Sequence, residues 1–165
     1  MSGKTILISS GILLLILIGL AFLFTSASKS NAKVVSYDAN SAEKPKAEVA
    51  QSFADLGEIK VSDVKKTDFT IKNSGTKPLQ IIGLTTSCHC TFGQIIYKDL
   101  TTQEYGMSVP AGYITDVAPG ETAIVRVIYK PYIMPVFGFV EREVYITTND
   151  PLNQKLIFSI KMNVR

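Results

Sequence analysis

Chemistry-bearing residues are scarce in this sequence. It holds two cysteines and one histidine, and all three stand together as Cys88-His89-Cys90. So few thiols argue against a small scaffold held together by many disulfides. A self-contained structural zinc site is also disfavoured, because zinc takes four ligands and only three are local. There is no His-Glu-x-x-His, no phosphate-cradling glycine loop ahead of a helix and no Gly-x-Ser-x-Gly. A nucleophilic cysteine needs a base within reach, and on a strand the neighbouring histidine points to the opposite face. The sequence therefore reads as a non-enzyme with no catalytic residues and no evident small-molecule substrate. Clustered charge is missing as well. The longest block of one sign is Lys65-Lys66, and the 17 basic residues are nearly balanced by 14 acidic ones. Nucleic-acid surfaces need a basic face, so none is expected.

What the sequence does have is one long apolar run. From Ile6 to Phe24 there is no charged side chain. As a helix rising about 1.5 Å per residue, this run spans roughly 28 Å, close to the hydrocarbon thickness of a bilayer. Lys4 precedes it, and the positive-inside preference places the N-terminus in the cytoplasm and the C-terminal remainder of the chain outside. A second reading is a secretory signal peptide cleaved after Thr25-Ser26-Ala27, which would release the protein as a secreted domain. No cysteine lies near the run, so lipoprotein attachment is excluded. Residues 1–28 are thus expected to form a transmembrane anchor or signal peptide. Residues 29–54, rich in Ser, Ala, Lys, Asn and Glu and carrying Pro45, read as a linker.

Residues 55–165 alternate with period two. Phe69 and Ile71 share a face, as do Ala123, Val125, Val127 and Tyr129, and Leu156, Phe158, Ile160, Met162 and Val164 make the longest alternation. Turns fall at Asn73-Ser-Gly75 and Asn149-Asp-Pro151, and no amphipathic helix of useful length appears. This pattern predicts an all-β, immunoglobulin-like antiparallel β-sandwich preceded by one N-terminal transmembrane helix. The stretch from Thr91 to Val117 is long for a connection and can hold a hairpin or a binding loop. Lys130 to Phe139 is apolar, aromatic and bounded by prolines; it reads either as a loop packed over the sandwich end or as an exposed docking loop.

Several segments occur together in a fixed order: Leu56-Gly-Glu-Ile59, Phe69-Thr-Ile-Lys-Asn-Ser-Gly75, Pro78-Leu79, Thr86-Ser-Cys-His-Cys-Thr91, Pro119-Gly-Glu121 and Tyr145-Ile-Thr-Thr-Asn149. In this the chain resembles the bacterial DUF1573 family of exported domains, related to immunoglobulin-like sandwiches of the ASH and major-sperm-protein type. The resemblance implies fold and export, and it leaves activity open. The sequence departs from the family pattern in carrying His89 where glycine is usual, and in a longer stretch before Pro119.

Three readings of Cys88-His89-Cys90 stand side by side. The cysteines can be structural, as thiols or a disulfide. They can form a labile redox disulfide, because residues two apart on a strand lie roughly 6.5 Å apart at Cα, near the limit of disulfide geometry. They can also bind a soft ion such as copper in its Cu(I) state, with His89 if the backbone turns and with Met107 or Met134 as further soft ligands. The expected function is a membrane-tethered extracytoplasmic module that binds an envelope protein. The alternative is a copper or thiol-redox accessory protein acting through Cys88 and Cys90.

Overall fold

A computed structural model describes residues 34–165. The anchor expected at 1–28 and the first residues of the expected linker lie outside the described residues. In chain order the strands are β1 (Ala47–Glu48), β2 (Phe53–Ile59), β3 (Lys65–Asn73), β4 (Leu79–Thr86), β5 (Thr91–Tyr97), β6 (Leu100–Thr101), β7 (Tyr105–Gly106), β8 (Thr115–Val117), β9 (Thr122–Tyr129), β10 (Gly138–Thr148) and β11 (Lys155–Val164). One sheet runs β1-β3-β9-β5-β6, with β7 also paired to β5, and the other runs β2-β11-β10-β4-β8.

The alternating residues close the core between the two sheets. Val125, Val127 and Tyr129 of β9 and Phe158, Ile160 and Met162 of β11 are buried. Phe69 of β3 and Phe158 of β11 meet across the sheets with ring centroids 5.3 Å apart. Outward positions carry charge. Arg126 on β9 forms a two-pronged pair with Asp68 on β3, both contacts at 2.8 Å, and the guanidinium holds the Asp68 carboxyl below its usual range.

Two expectations are corrected. The sandwich is not wholly antiparallel, because β2 pairs with β11 in parallel. The domain also starts before residue 55. Within the stretch read as linker, β1 pairs with β3, β2 opens at Phe53, and Pro45 and Ala47 are buried. The Ala47 amide donates to Asp150 Oδ2 at 2.8 Å, and the Val35 amide donates to Gln80 Oε1 at 2.7 Å. This part of the chain escapes a periodicity search because its ordering comes from backbone hydrogen bonds to distant side chains.

Two turns recognisable in the sequence join in space. Asn73 is fully buried, and its Nδ2 donates to the carbonyls of Lys77 at 2.8 Å and Val117 at 2.9 Å. Its Oδ1 accepts the Gly75 amide at 3.0 Å. Its backbone N–H donates to Glu121 O at 2.9 Å, and its carbonyl accepts from Gly120 at 2.7 Å. Gly120 has φ +81°, a conformation that glycine adopts without steric cost. A Cβ on Gly75 would lie 2.4 Å from Lys44 O, so only glycine fits against that incoming backbone. The Tyr97 hydroxyl donates to the Glu121 carboxylate and accepts the Ala118 amide at 3.0 Å, which ties β5 to the same turn. That hydroxyl, followed by the Lys98 ammonium, pulls the Glu121 carboxyl below its ordinary range.

Replacing Asn73 by alanine strands the buried Val117 carbonyl and removes the partner of the part-buried Lys77 carbonyl and Gly75 amide. Each buried unsatisfied group costs about 1–3 kcal/mol. Asn73→Ala is therefore expected to lower the urea midpoint by the equivalent of at least about 1–3 kcal/mol with an unchanged slope. Urea titration followed by circular dichroism measures this.

Candidate functional site

The Cys-His-Cys segment is not on a strand. β4 belongs to one sheet and β5 to the other, and residues 87–90 form the turn by which the chain crosses between them. The turn brings the two Cα atoms to 5.4 Å, closer than an extended strand allows and well inside the usual disulfide range. The two sulfurs are bonded.

Hydrogen bonds fix the crossover from both sides. The Thr86 hydroxyl lies 3.0 Å from the Cys88 carbonyl and 2.9 Å from that of Thr91. The Ser87 amide donates to Glu143 O at 3.0 Å, and the Ser87 hydroxyl accepts the Glu143 amide at 2.9 Å, so the turn is pinned to β10. The Cys90 carbonyl accepts the Lys130 amide at 2.8 Å, which fixes the root of the loop after β9. Cys90 is fully buried and Cys88 is half-buried. The flanking threonines of the Thr-Ser-Cys-His-Cys-Thr segment thus serve the turn itself.

His89 is exposed, and its Nδ1 lies 2.7 Å from the hydroxyl of Ser108. It lines a cleft with Phe92, Glu104, Met107, Val109 and Ile133. Below it the Lys130 ammonium sits 4.7 Å from the centroid of the Phe92 ring and 2.5 Å from the Glu104 carboxylate. Three segments therefore meet at this end of the sandwich: the disulfide turn, the stretch around Met107 to Val109, and the loop after β9. Ser108, Glu104 and Lys130 carry no sequence signal that would have marked them, because each is an isolated polar residue brought in by the topology.

The long connection from Thr91 to Val117 contains β5 through β8 and closes a short hairpin between β5 and β6. The loop after β9 is anchored only at its base. Pro131 is buried in the short 3-10 turn Pro131–Ile133, whereas Tyr132, Ile133, Met134, Val136 and Phe137 are exposed. Phe137 is 67% exposed and Phe139, at the start of β10, is 80% exposed. Of the two readings of this segment, packing over the sandwich end gives way to an exposed apolar surface. Pro131 and Pro135 keep residues 131–137 out of the sheet, and Phe139 stands on the outer face of β10, so these side chains do not enter the core.

In this disulfide-bonded state the side chains considered for copper are not gathered at one point. The cysteine sulfurs are spent on each other, the His89 ring is engaged with Ser108, and among the described residues no group of three His, Cys, Asp or Glu side chains is placed to hold a metal ion. Met107 shares the cleft with His89, and Met134 is exposed on the loop.

The strands define a small all-β sandwich of two sheets. The family model described as "Protein of unknown function (DUF1573)" matches residues 47–164, and the chain belongs to that family. Among curated proteins none matches the sequence. Three solved structures are similar to it. A protein of unknown function from Porphyromonas gingivalis W83 aligns at 18% identity with a TM-score of 0.57, over 74% of this chain and 48% of that one. A family 123 glycoside hydrolase from Clostridium perfringens aligns at 10% identity and 0.51, over 69% of this chain and 23% of that one. The ASH/PapD-like domain of human CEP192 aligns at 9% identity and 0.47, over 84% of this chain and 97% of that domain. The chain thus spans about half of the Porphyromonas protein and about a quarter of the hydrolase. At these identities the likeness to the Porphyromonas protein and the hydrolase is one of fold.

The disulfide closes a loop of three residues, for which chain entropy assigns ~1.6 kcal/mol of stabilisation. The double variant Cys88→Ser, Cys90→Ser is expected to remain folded and to lose about that much in urea titration. A loss of several times this value would show that the turn stabilises the sandwich by more than loop closure.

Proposed function

We propose that this chain is a membrane-tethered, extracytoplasmic, non-enzymatic module that binds another protein of the cell envelope. The observation that carries the reading is the exposed apolar surface made by the loop residues Tyr132 to Phe137 together with Phe139 at the start of β10. Large exposed aromatic side chains side by side are costly to leave in water, and such patches on soluble domains mark places that a partner covers. Aromatic anchors surrounded by polar residues also match the make-up of protein interfaces. The uncharged run from Ile6 to Phe24 supports the tether, and Lys4 ahead of it supports placing the domain outside. The missing catalytic signatures support a binding role.

The test is a photo-crosslinking amino acid placed at Phe137 of the full-length chain in its native membranes. One discrete adduct is expected, and it should weaken at least about tenfold when Phe139 and Ile133 are changed to serine, as expected for hot-spot residues. The same probe at Thr70, on the outer face of β3, is expected to give no such adduct. Equal labelling from Thr70, or no adduct at Phe137, would contradict the reading. Alkaline carbonate extraction should leave the chain with the membrane pellet if the tether is correct.

A further inference from the structure

The two sulfurs of the Cys88–Cys90 bond are placed unequally. Cys90 is fully buried in the core, and its carbonyl is locked to Lys130. Cys88 is half-buried, and its Sγ accepts two hydrogen bonds, from the Cys90 amide at 3.1 Å and from the Thr91 hydroxyl at 3.3 Å. A disulfide sulfur carries no hydrogen, so the threonine is the donor. Thr91 is itself fully buried, which keeps its hydroxyl aimed at the sulfur. Donors of this kind stabilise negative charge on the atom they address. One cysteine is thus partly exposed with its sulfur prepared to be a thiolate, and the other is fully buried.

We propose that this disulfide exchanges with a protein dithiol, with Cys88 as the sulfur that joins the partner and Cys90 as the resolving thiol. In the reducing direction a partner thiolate attacks Cys88 Sγ in line with the Cys88–Cys90 bond. That bond breaks, its electron pair leaves on the Cys90 sulfur, which takes up a proton, and a bond forms between Cys88 and the partner. The partner's second thiolate then attacks its own sulfur in the mixed disulfide. Cys88 departs as a thiolate held by the Cys90 amide and the Thr91 hydroxyl. The partner is oxidised to its disulfide by two electrons, and this chain is reduced by two. In reverse, the Cys88 thiolate attacks a partner disulfide and Cys90 releases it. The exposed His89 next to Cys88 lines a cleft with Met107 and Val109, so an incoming segment finds an apolar surface at this turn.

This chemistry stands independently of the docking surface at Phe137 and Phe139, so either can fail alone. The test uses the full-length oxidised chain in detergent micelles and, as probe, a reduced thioredoxin-type dithiol protein whose second cysteine is replaced by serine. The expected product is a covalent adduct mapped by peptide mass spectrometry to Cys88. In a second arm the wild-type chain is reduced with dithiothreitol without denaturant and pulsed with iodoacetamide, and Cys88 is expected to be labelled at least about tenfold faster than Cys90. An adduct at Cys90, no adduct, a labelling preference below that, or a disulfide that opens only in denaturant would overturn the proposal. Both arms need only the native sequence, so a variant that fails to fold does not obscure the result.

Discussion

The hydrogen bond from the Lys130 amide to the Cys90 carbonyl, 2.8 Å long, connects everything of functional interest in this domain. A chain that crosses from one sheet of a sandwich to the other must turn through its own core edge, where backbone groups are shielded from water and need partners. Here the Thr86 hydroxyl serves the Cys88 and Thr91 carbonyls, the Ser87 hydroxyl takes the Glu143 amide, and the disulfide closes the turn on itself. The carbonyl left over at Cys90 then fixes the start of the next loop. The apolar residues after Lys130 therefore project from a rigid base, although no core covers them.

The remaining motif residues are structural in a specific sense. Asn73 and Gly75 at one turn and Gly120 and Glu121 at another are parts of one joint that also holds the β1 segment and Tyr97. They are distant in sequence, and their roles differ: one side chain satisfies buried backbone, one glycine admits a close approach, and another adopts positive φ. The joint lies apart from the His89 cleft. The motifs in this chain thus split between a joint that defines the fold and a crossover that offers chemistry.

The strands were legible where one face is buried. Phe158, Ile160 and Met162 alternate with outward residues, and so do Val125 and Val127, so both their element and their face follow from period two. The parallel pairing of β2 was not legible, because a strand's partner depends on topology and leaves no local trace. The early start of the domain was missed for a related reason: Val35 and Ala47 are ordered by Gln80 and Asp150, far along the chain. At the site, the sequence singled out Cys88, His89 and Cys90 but placed them on a strand. The turn is encoded by the Thr86 and Ser87 hydroxyls and by the Cys90 carbonyl, whose partners Glu143 and Lys130 arrive from distant parts of the chain. Exposure at Phe137 and Phe139 was undecided from sequence, since an apolar loop reads the same whether covered or bare.

If the disulfide crossover holds the base of the apolar loop, opening the disulfide must loosen that base before it loosens the sandwich. Amide hydrogen exchange of the full-length chain, oxidised and then reduced without denaturant, measures this. Reduction is expected to speed exchange at Lys130 and in residues 131–137, while β11 keeps its protection. Unchanged exchange at Lys130, or acceleration spread evenly through the sandwich, would contradict a crossover that anchors the loop.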